Sequence, residues 1–322
     1  MEELRKIQVE ESKCVNPTIN NLIRVFDMIL IFSKDKHEST VEDVMDWLSF
    51  YNQKYKRVNN ILSLKIEDDF NEVNSVWAWR PGRQYNKFEV DSIKNLRNLN
   101  RNIENENRAK SNFLFYKLRD KYWLSHPKKA LVNKLIILDK AKKIGLKQPE
   151  FIFTNEKKEL IKFKEKYSRV ITKSIDNSYP LNDKERYVMF YTKEITEIHI
   201  QALPNYFEGS FFQEYIEKKI EIRVFYLNEK IYSMAIMIPN DEIDHRKISR
   251  ELRKVPYQLQ SEIEDKIKQL MQDLDLNTAS IDLMCDAEDN IYFLEVNPVG
   301  QFGMVSNPCN YYLEKEVAIN LI

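Results

Sequence analysis

A chain of 322 residues with 43% apolar residues can bury cores in two or three packed units. Lys+Arg and Asp+Glu stand at 50 each, so no global field points to nucleic acid or to an anionic membrane as partner. No apolar run reaches the length of about 18 residues that a membrane span needs, and the opening MEELRKIQVEESKC lacks the apolar centre of a secretory signal. Cys14, Cys285 and Cys309 are odd in number and far apart, with neither zinc spacing nor a redox pair; reduced thiols of a cytoplasmic protein are expected. There are only five glycines, and neither GxxxxGK[ST] nor GxGxxG occurs. Any nucleotide must be held by other means.

Residues 1–25 are polar and of mixed charge and read as an arm. MILIFS then reads as a buried strand. STVEDVMDWLSFYNQKY follows as a helix with the stripe Val41, Val44, Met45, Leu48 and Tyr51. SVWAWR (75–80) is the next strand, PGRQYN a turn, and residues 89–123 a helix with Leu96, Leu99, Ile103, Phe113, Leu114 and Leu118 as core candidates. SHP (125–127) breaks this pattern and closes a small α/β unit. NKLIILDKAKKIGLKQPEFIFTN reads as helix, C-cap at Gly145, proline and strand. Strands are then expected at SRVITKSI (168–175), RYVMFYTKEI (186–195), EIHIQAL (197–203), FFQEYI (211–216), KIEIRVFYLN (219–228) and KIYSMAIMIP (230–239), the last two forming a hairpin around Asn228–Glu229. A helix at 260–276 precedes a final hairpin of SIDLMCD (280–286) and NIYFLEVN (290–297). His37, His126, His199 and His245 are scattered, and no Ser-His-Asp or Cys-His arrangement can be read from spacing.

The final hairpin carries the chemistry. Side chains alternate along a strand, so Glu295 and Asn297 share a face. With Ala287–Asn290 as the loop, Asp286 pairs with Ile291, Cys285 with Tyr292, and Asp282 falls opposite Glu295, about 4.5–5.5 Å away at Cβ. Two carboxylates so close in a half-buried place repel unless a positive charge sits between them. Oxygen donors without His or Cys suit Mg²⁺ or Mn²⁺ rather than zinc. Spacing alone leaves a solvated acidic face equally open. The apolar flanks Ile281, Leu283, Phe293 and Leu294, and the stop at Pro298 and Gly300, favour the metal.

The pattern D(x12)E-x-N at a strand end, followed by proline and glycine, resembles the metal-binding end of the ATP-grasp superfamily. FFQEYIEKKIEIRVF resembles the strand–loop–strand that holds adenine and ribose in RimK-like ligases, and VNKLIILDKAKKIGLKQPEFIFTN the segment bringing the first nucleotide-binding lysine. More narrowly, ILIFSKDKHESTVEDVMDWLSFYNQKYKRVN, QEYIEKKIEIRVF, VPYQL and FLEVNPVGQFG resemble the graspetide synthetases, in the branch of the grasp-with-SPASM maturases. The resemblance runs from about residue 26 to the end of the sequence and is most specific in its last third.

This resemblance implies an α/β protein of α+β subdomains: an ATP-grasp fold behind an N-terminal α/β domain. The arm would be 1–25, the pre-ATP-grasp and peptide-recognition domain 26–125, the central subdomain 126–208 and the C-terminal subdomain with the metal site 209–322. It implies that Lys134 and Lys173 bind ATP phosphates, that the backbone of Glu214, Tyr215 and Ile216 reads adenine, and that Glu221 binds the ribose. Arg223 and Arg246 would contact phosphate as catalytic residues, bidentate by their planar forks, while Asp282, Glu295 and Asn297 hold metal. From the residues alone, each lysine could be an ordinary solvated side chain, and Glu221 with Arg223 a surface ion pair on an edge strand. The family's glycine-bearing lid over the phosphates departs here to SIDNSYPLNDKERY (174–187), which has no glycine. The implied activity is ATP-dependent ligation with Mg²⁺: an Asp or Glu side chain of a ribosomally made precursor peptide is phosphorylated, then joined to Thr, Ser or Lys as a macrocyclic ester or amide. The partners would be that peptide with its leader and, in a homodimer, a second copy; nucleic acid and membrane are not expected. Two other readings stay open: a RimK-type ligase adding amino acids to a protein or small-molecule carboxylate, and a nucleotide-binding module without turnover.

Overall fold

The computed structural model describes residues 28–34, 38–79, 96–129, 132–175, 181–183, 186–188, 192–237 and 252–322. The expected turn at 81–86 and Arg246 lie outside these residues, as do Ser178 and Lys184 of the glycine-free segment. Contacts divide the chain into two units, Met1–Leu124 with Glu314–Ile322, and Ser125–Leu313.

In the first unit, Ile29–Phe32 of β1 (Met28–Phe32) are buried on both faces, as a central parallel strand requires. Helix α1 (Ser39–Phe50) buries Val41, Val44 and Leu48 completely, while Met45 and Tyr51 are half-buried. The helix does not continue to Tyr55 as its apolar spacing suggested. Asn52 takes a left-handed φ of 55°, which asparagine tolerates better than most residues, and β2 (Lys54–Val58) begins two residues later. β3 (Val73–Ala78), α2 (Leu96–Lys117) and β4 (Tyr122–Leu124) complete a parallel sheet of order β2-β1-β3-β4. The helix expected up to residue 123 stops earlier, and its last residues supply β4 instead. Leu114 and Leu118 are buried, but Leu99 and Phe113 are 36% and 43% exposed and lie outside the core. Helix α8 (Leu313–Leu321) buries Val317, Ala318 and Leu321, and its Leu321 carbonyl accepts a 2.5 Å hydrogen bond from Ser75 Oγ on β3.

The second unit opens with α3 (Lys134–Lys143). Asn133 caps it by accepting from the Leu135 and Ile136 amides, and Gly145, at φ 78°, turns the chain out of it. β5 (Phe151–Glu156), α4 (Lys157–Lys166), β6 (Val170–Thr172), a hairpin of β7 (Leu181–Asp183) and β8 (Arg186–Val188), β9 (Lys193–Glu194), α5 (Glu197–Ala202) and β10 (Tyr206–Glu214) follow. β5-β10-β6-β9 form one antiparallel sheet. The strand expected at 197–203 is α5: the alternation of Ile198 and Ile200 imitates a strand, but only Ile200 is buried, and His199 Nδ1 accepts from the Thr196 amide at 3.1 Å to start the helix.

β11 (Ile220–Leu227) and β12 (Lys230–Met237) make a hairpin closed by Asn228 and Glu229 at φ 42° and 69°, the paired left-handed conformation that matches strand twist. With β13 (Lys254–Tyr257), α6 (Ser261–Asp273), β14 (Thr278–Cys285), β15 (Ile291–Asn297) and α7 (Gly303–Cys309), they give an antiparallel sheet of order β13-β12-β11-β14-β15. Ile222, Val224 and Tyr226 of β11 join Ile281, Leu283 and Phe293 in a core completed by α3 and α6. The alternate residues of β11 occupy the other face, where Phe225 packs on Phe302 at 5.1 Å and Glu221 and Arg223 lie beyond it.

The register of the final hairpin differs from expectation at its turn. Cys285 pairs with Ile291, Met284 with Tyr292 and Leu283 with Phe293, one residue off the expected partners. Asp286 closes the turn on Asn290 rather than Ile291: its amide donates to the Asn290 carbonyl at 3.1 Å, its Oδ1 accepts from the Asn290 amide at 2.8 Å and the Glu288 amide at 3.1 Å, and Asp289 turns at φ 63°. A bulge at Leu294 absorbs the odd residue, so Asp282 still faces Glu295 and Ser280 faces Asn297.

Candidate functional site

Three strand positions fix the centre of the site. Arg223 on β11 lies directly opposite Asp282 on β14, and Asp282 directly opposite Glu295 on β15. Since β11 lies between β12 and β14, Glu221 and Arg223 are not an edge-strand pair; Glu221 is 7% exposed. Arg223 Nη1 donates to Asp282 Oδ2, and its Nη2 lies 3.4 Å from Glu221 Oε2. On the far side, Lys134 Nζ, in the first turn of α3, lies 3.2 Å from Glu295 Oε2. Asn297 Nδ2 donates to Glu295 Oε1 at 3.1 Å. Lys173 follows β6 directly, half-buried, with its Nζ 5.9 Å from the Phe211 ring centre.

The sequence-derived residues Lys134, Lys173, Glu221, Arg223, Asp282, Glu295 and Asn297 thus meet in one charged network. Arg246 is outside the described residues. Lys218 is a member that sequence reasoning missed. Its Nζ lies 2.6 Å from Glu221 Oε1, with both side chains only 10% exposed. The signal was its place three residues before Glu221 in EKKIE, hidden by the many lysines of the chain. Four cations, Lys134, Lys173, Lys218 and Arg223, therefore surround three carboxylates.

Electrostatics separates the two facing carboxylates. Burial pushes Asp282 above the usual carboxylate range; Arg223 pulls against this, and Glu295 adds to it. Burial also works to raise Glu295, but Lys134 and Lys173 outweigh it and hold that group low. Burial and the nearby Lys134 lower Lys173, against the pull of Glu295 and Asp282. A carboxylate pair enclosed by fixed cations is a place where added negative charge meets pre-oriented partners.

The donor set fits a hard cation. Asp282, Glu295 and Asn297 offer only oxygen, the ligand chemistry of Mg²⁺, which keeps several positions for water or phosphate. Among the described residues no cluster of three or more His, Cys, Asp or Glu is placed to hold a metal by itself. A metal here would depend on Asn297 and on oxygens brought by a second ligand. Gly300 lies three residues past the end of β15: at φ 21°, a Cβ there would come within 2.4 Å of the Ser280 amide, so only glycine lets the loop lie against β14 beside the site.

The backbone at the expected base-binding segment is partly committed. The Glu214 amide donates to Glu150 O and the Tyr215 amide to Arg169 O, both at 2.9 Å. β10 ends at Glu214, so Tyr215 and Ile216 leave the sheet. Of the three expected residues, the Ile216 amide has no acceptor among the described residues.

Residues 128–321 match the family described as RimK-like ATP-grasp domain. The fold is similar to that of the macrocyclase MdnC from Microcystis aeruginosa MRC, solved bound with precursor peptide MdnA: TM-score 0.77, 21% identity, covering 92% of this chain and 99% of that one. It is also similar to a Chryseobacterium gregarium RiPP-associated ATP-grasp ligase in complex with ADP and a leader and core peptide: TM-score 0.78, 23% identity, covering 92% and 96%. The ATP-grasp ligase PsnB, complexed with minimal precursor, Mg and ADP, matches with TM-score 0.69 and 16% identity over 91% of this chain and 96% of that one. No curated protein matches the sequence. The architecture is the ATP-grasp fold.

Proposed function

The chain belongs to the RimK-like ATP-grasp family, and from that premise we propose that it matures a ribosomally made precursor peptide by ATP-dependent ligation of Asp or Glu side chains. One observation carries the reading: the network in which Arg223, Asp282, Glu295, Asn297 and Lys134 meet from four elements, β11, β14, β15 and α3. That arrangement suits phosphoryl transfer, which needs positioning and charge rather than a protein nucleophile. The precursor peptides and ADP bound in the similar structures support the choice of substrate.

In this reading Lys134 and Lys173 hold phosphates, Glu221 accepts from ribose hydroxyls while Lys218 fixes its carboxylate, and the Ile216 amide meets the base. Asp282, Glu295 and Asn297 would hold Mg²⁺, with Mn²⁺ as a substitute; the metal supplies Lewis-acid neutralisation of the phosphates. Arg223, anchored by two carboxylates, presents the rest of its guanidinium to the transferred phosphoryl, and Arg246 is assigned the same duty. A peptide carboxylate attacks the γ-phosphorus and ADP leaves. A Thr or Ser hydroxyl or a Lys amine of the same peptide then attacks the acyl carbon, expelling phosphate and losing a proton. The outcome is a macrocyclic ester or amide. We place the reaction in the cytoplasm; no described helix is long and apolar enough to cross a membrane. A homodimer is the assembly we expect.

The test is co-expression with a precursor followed by mass spectrometry. Loss of one water per bond formed, dependent on ATP and on a leader-bearing peptide, is expected. Ligation of a free amino acid to a protein terminus would replace this reading by the RimK-type one, and nucleotide binding without any ligation by the regulatory one.

A further inference from the structure

The loop that follows β15 is pinned at three points. The Gly300 amide donates to the Asn297 carbonyl at 3.0 Å, and Gly300 itself lies against the Ser280 amide of β14 with no room for a Cβ. Ser280 Oγ donates to the Gln301 carbonyl at 3.4 Å. Phe302, 1% exposed, packs on Phe225 of β11. Between these anchors the Gln301 side chain is exposed and makes no hydrogen bond among the described residues. Its backbone is fixed while its amide is uncommitted.

The sheet beneath sets what Gln301 stands over. Directly opposed residues share a face, and so do residues two apart. Phe225, Ser280 and Asn297 oppose one another across β11, β14 and β15, in the row next to Arg223, Asp282 and Glu295. Glu221 stands on the other side of Arg223, again two residues away. Such steps are about 7 Å along a strand. With ribose at Glu221 and phosphates at the Arg223 row, as in the function proposed above, the nucleotide runs toward the row that carries Gln301. In phosphoryl transfer the attacking oxygen enters roughly in line, opposite the leaving group. The side opposite ADP is therefore the row over which Gln301 is held.

We propose that Gln301 is a substrate-orienting residue, whose Nε2 donates to the peptide carboxylate that is phosphorylated. The proposal rests on the ligase reading and adds to it the group that meets the acid. One carboxylate oxygen attacks the γ-phosphorus, and the bond to the β–γ bridging oxygen breaks as ADP leaves. The other oxygen becomes the acyl oxygen and keeps Nε2 as its donor. When a Thr or Ser hydroxyl attacks the acyl carbon, negative charge gathers on that same oxygen, where a pre-positioned donor has its largest effect. Collapse expels phosphate, which takes the hydroxyl proton. A side-chain amide suits this place because it donates without carrying a charge that would pair with the triphosphate instead.

The test compares full-length wild type, Gln301→Ala and Gln301→Glu with the precursor that wild type crosslinks on co-expression. Peptide-dependent ADP release, crosslinks formed per ADP, and ATP affinity without peptide are measured. Gln301→Ala should lower kcat on the order of a hundredfold, as loss of one such donor does, and release more ADP per crosslink because the acylphosphate meets water more often. Gln301→Glu keeps the shape but offers only acceptors and a negative charge, so it should fall below Gln301→Ala. ATP affinity should stay within about twofold of wild type in both, since the proposed contact is with the peptide. Equal losses in the two variants would show that shape rather than the donor matters and would overturn the proposal. ATP affinity falling in step with the rate would place Gln301 at the nucleotide and overturn it as well. Wild-type rates from both variants overturn it and leave the ligase reading standing. Wild type that crosslinks no peptide overturns the proposed function and this inference with it.

Discussion

At the scale of single residues, the site was legible because it stands on strands. The period of two put Glu295 and Asn297 on one face, and Arg223 on the same face as Glu221, without any knowledge of loops. Lys218 was not legible: it is one lysine among many, and only its 2.6 Å contact with Glu221 marks it. The facing pair Asp282 and Glu295 leads to a direct prediction. Glu295→Gln keeps shape and the Asn297 contact but removes the charge that Lys134 balances. Asn297→Ala removes the neutral oxygen without which the donor set falls short. If this face holds Mg²⁺ as proposed, a metal clamp contributes several kcal/mol, and turnover should fall about a hundredfold or more in each variant. Circular dichroism and melting should stay close to wild type, because neither substitution empties the apolar core. Wild-type-like turnover from both at ordinary Mg²⁺ would sink the assignment of this face to metal.

At the scale of elements, the mistakes share a cause: apolar spacing says which residues are buried, not how the backbone gets there. Ile198 and Ile200 alternate, but the capped turn at Thr196 makes the segment a helix. KKELIKFKEK passed without notice because its mean hydropathy is low and only Leu160 and Phe163 are buried. The final hairpin is the most instructive case. Its register slips by one at the turn and is restored at the Leu294 bulge, so Asp282 faces Glu295 as expected, through a different geometry. Asp286 sets that slip, and its removal is testable. Burial works to raise its pKa, but hydrogen bonds from the Asn290 side chain and amide and from the Glu288 amide outweigh it and hold the group below the usual carboxylate value. A depressed folded-state pKa means stability that is complete above the unfolded value of about 3.9 and lost as pH falls through the lower folded value. Asp286→Asn should therefore lower stability near neutral pH by roughly 1 kcal/mol. The gap to wild type should stay constant down to about pH 4 and close below it. Urea melts across that range decide the matter; a gap that widens in acid would mean that Asp286 is not the charged anchor of the turn.

At the scale of the whole molecule, the helical spacing of residues 313–321 gives no hint of which core its apolar stripe enters. Glu314–Ile322 cluster with the first unit, although the second unit precedes them directly in the chain. The attachment is specific. Val317, Ala318 and Leu321 are at most 2% exposed, and the Leu321 carbonyl takes the hydroxyl of Ser75, itself 3% exposed, on β3. Lys315 Nζ adds a cation over the Trp47 ring of α1 at 5.3 Å. A truncation after Leu313 should then act at a distance in sequence. It strips apolar cover from a small four-stranded parallel sheet, which needs both faces covered, and leaves the Ser75 hydroxyl without its acceptor. Burying a valine and a leucine contributes about 1.5–3 kcal/mol each, so the loss should reach roughly 3–5 kcal/mol, a large share of what a unit of this size can hold. Hydrogen exchange followed by mass spectrometry reads the effect by segment. Protection should fall in β1 and β3, within residues 28–32 and 73–78, more than in β11 and β14 of the second unit. If the loss appears first in β11 and β14, or nowhere, the last helix is not part of the first unit's core. If residues 26–125 recognise the peptide, as the family resemblance implies, the same truncation should raise the peptide concentration needed for half-maximal ATP turnover more than it changes the affinity for ATP measured without peptide.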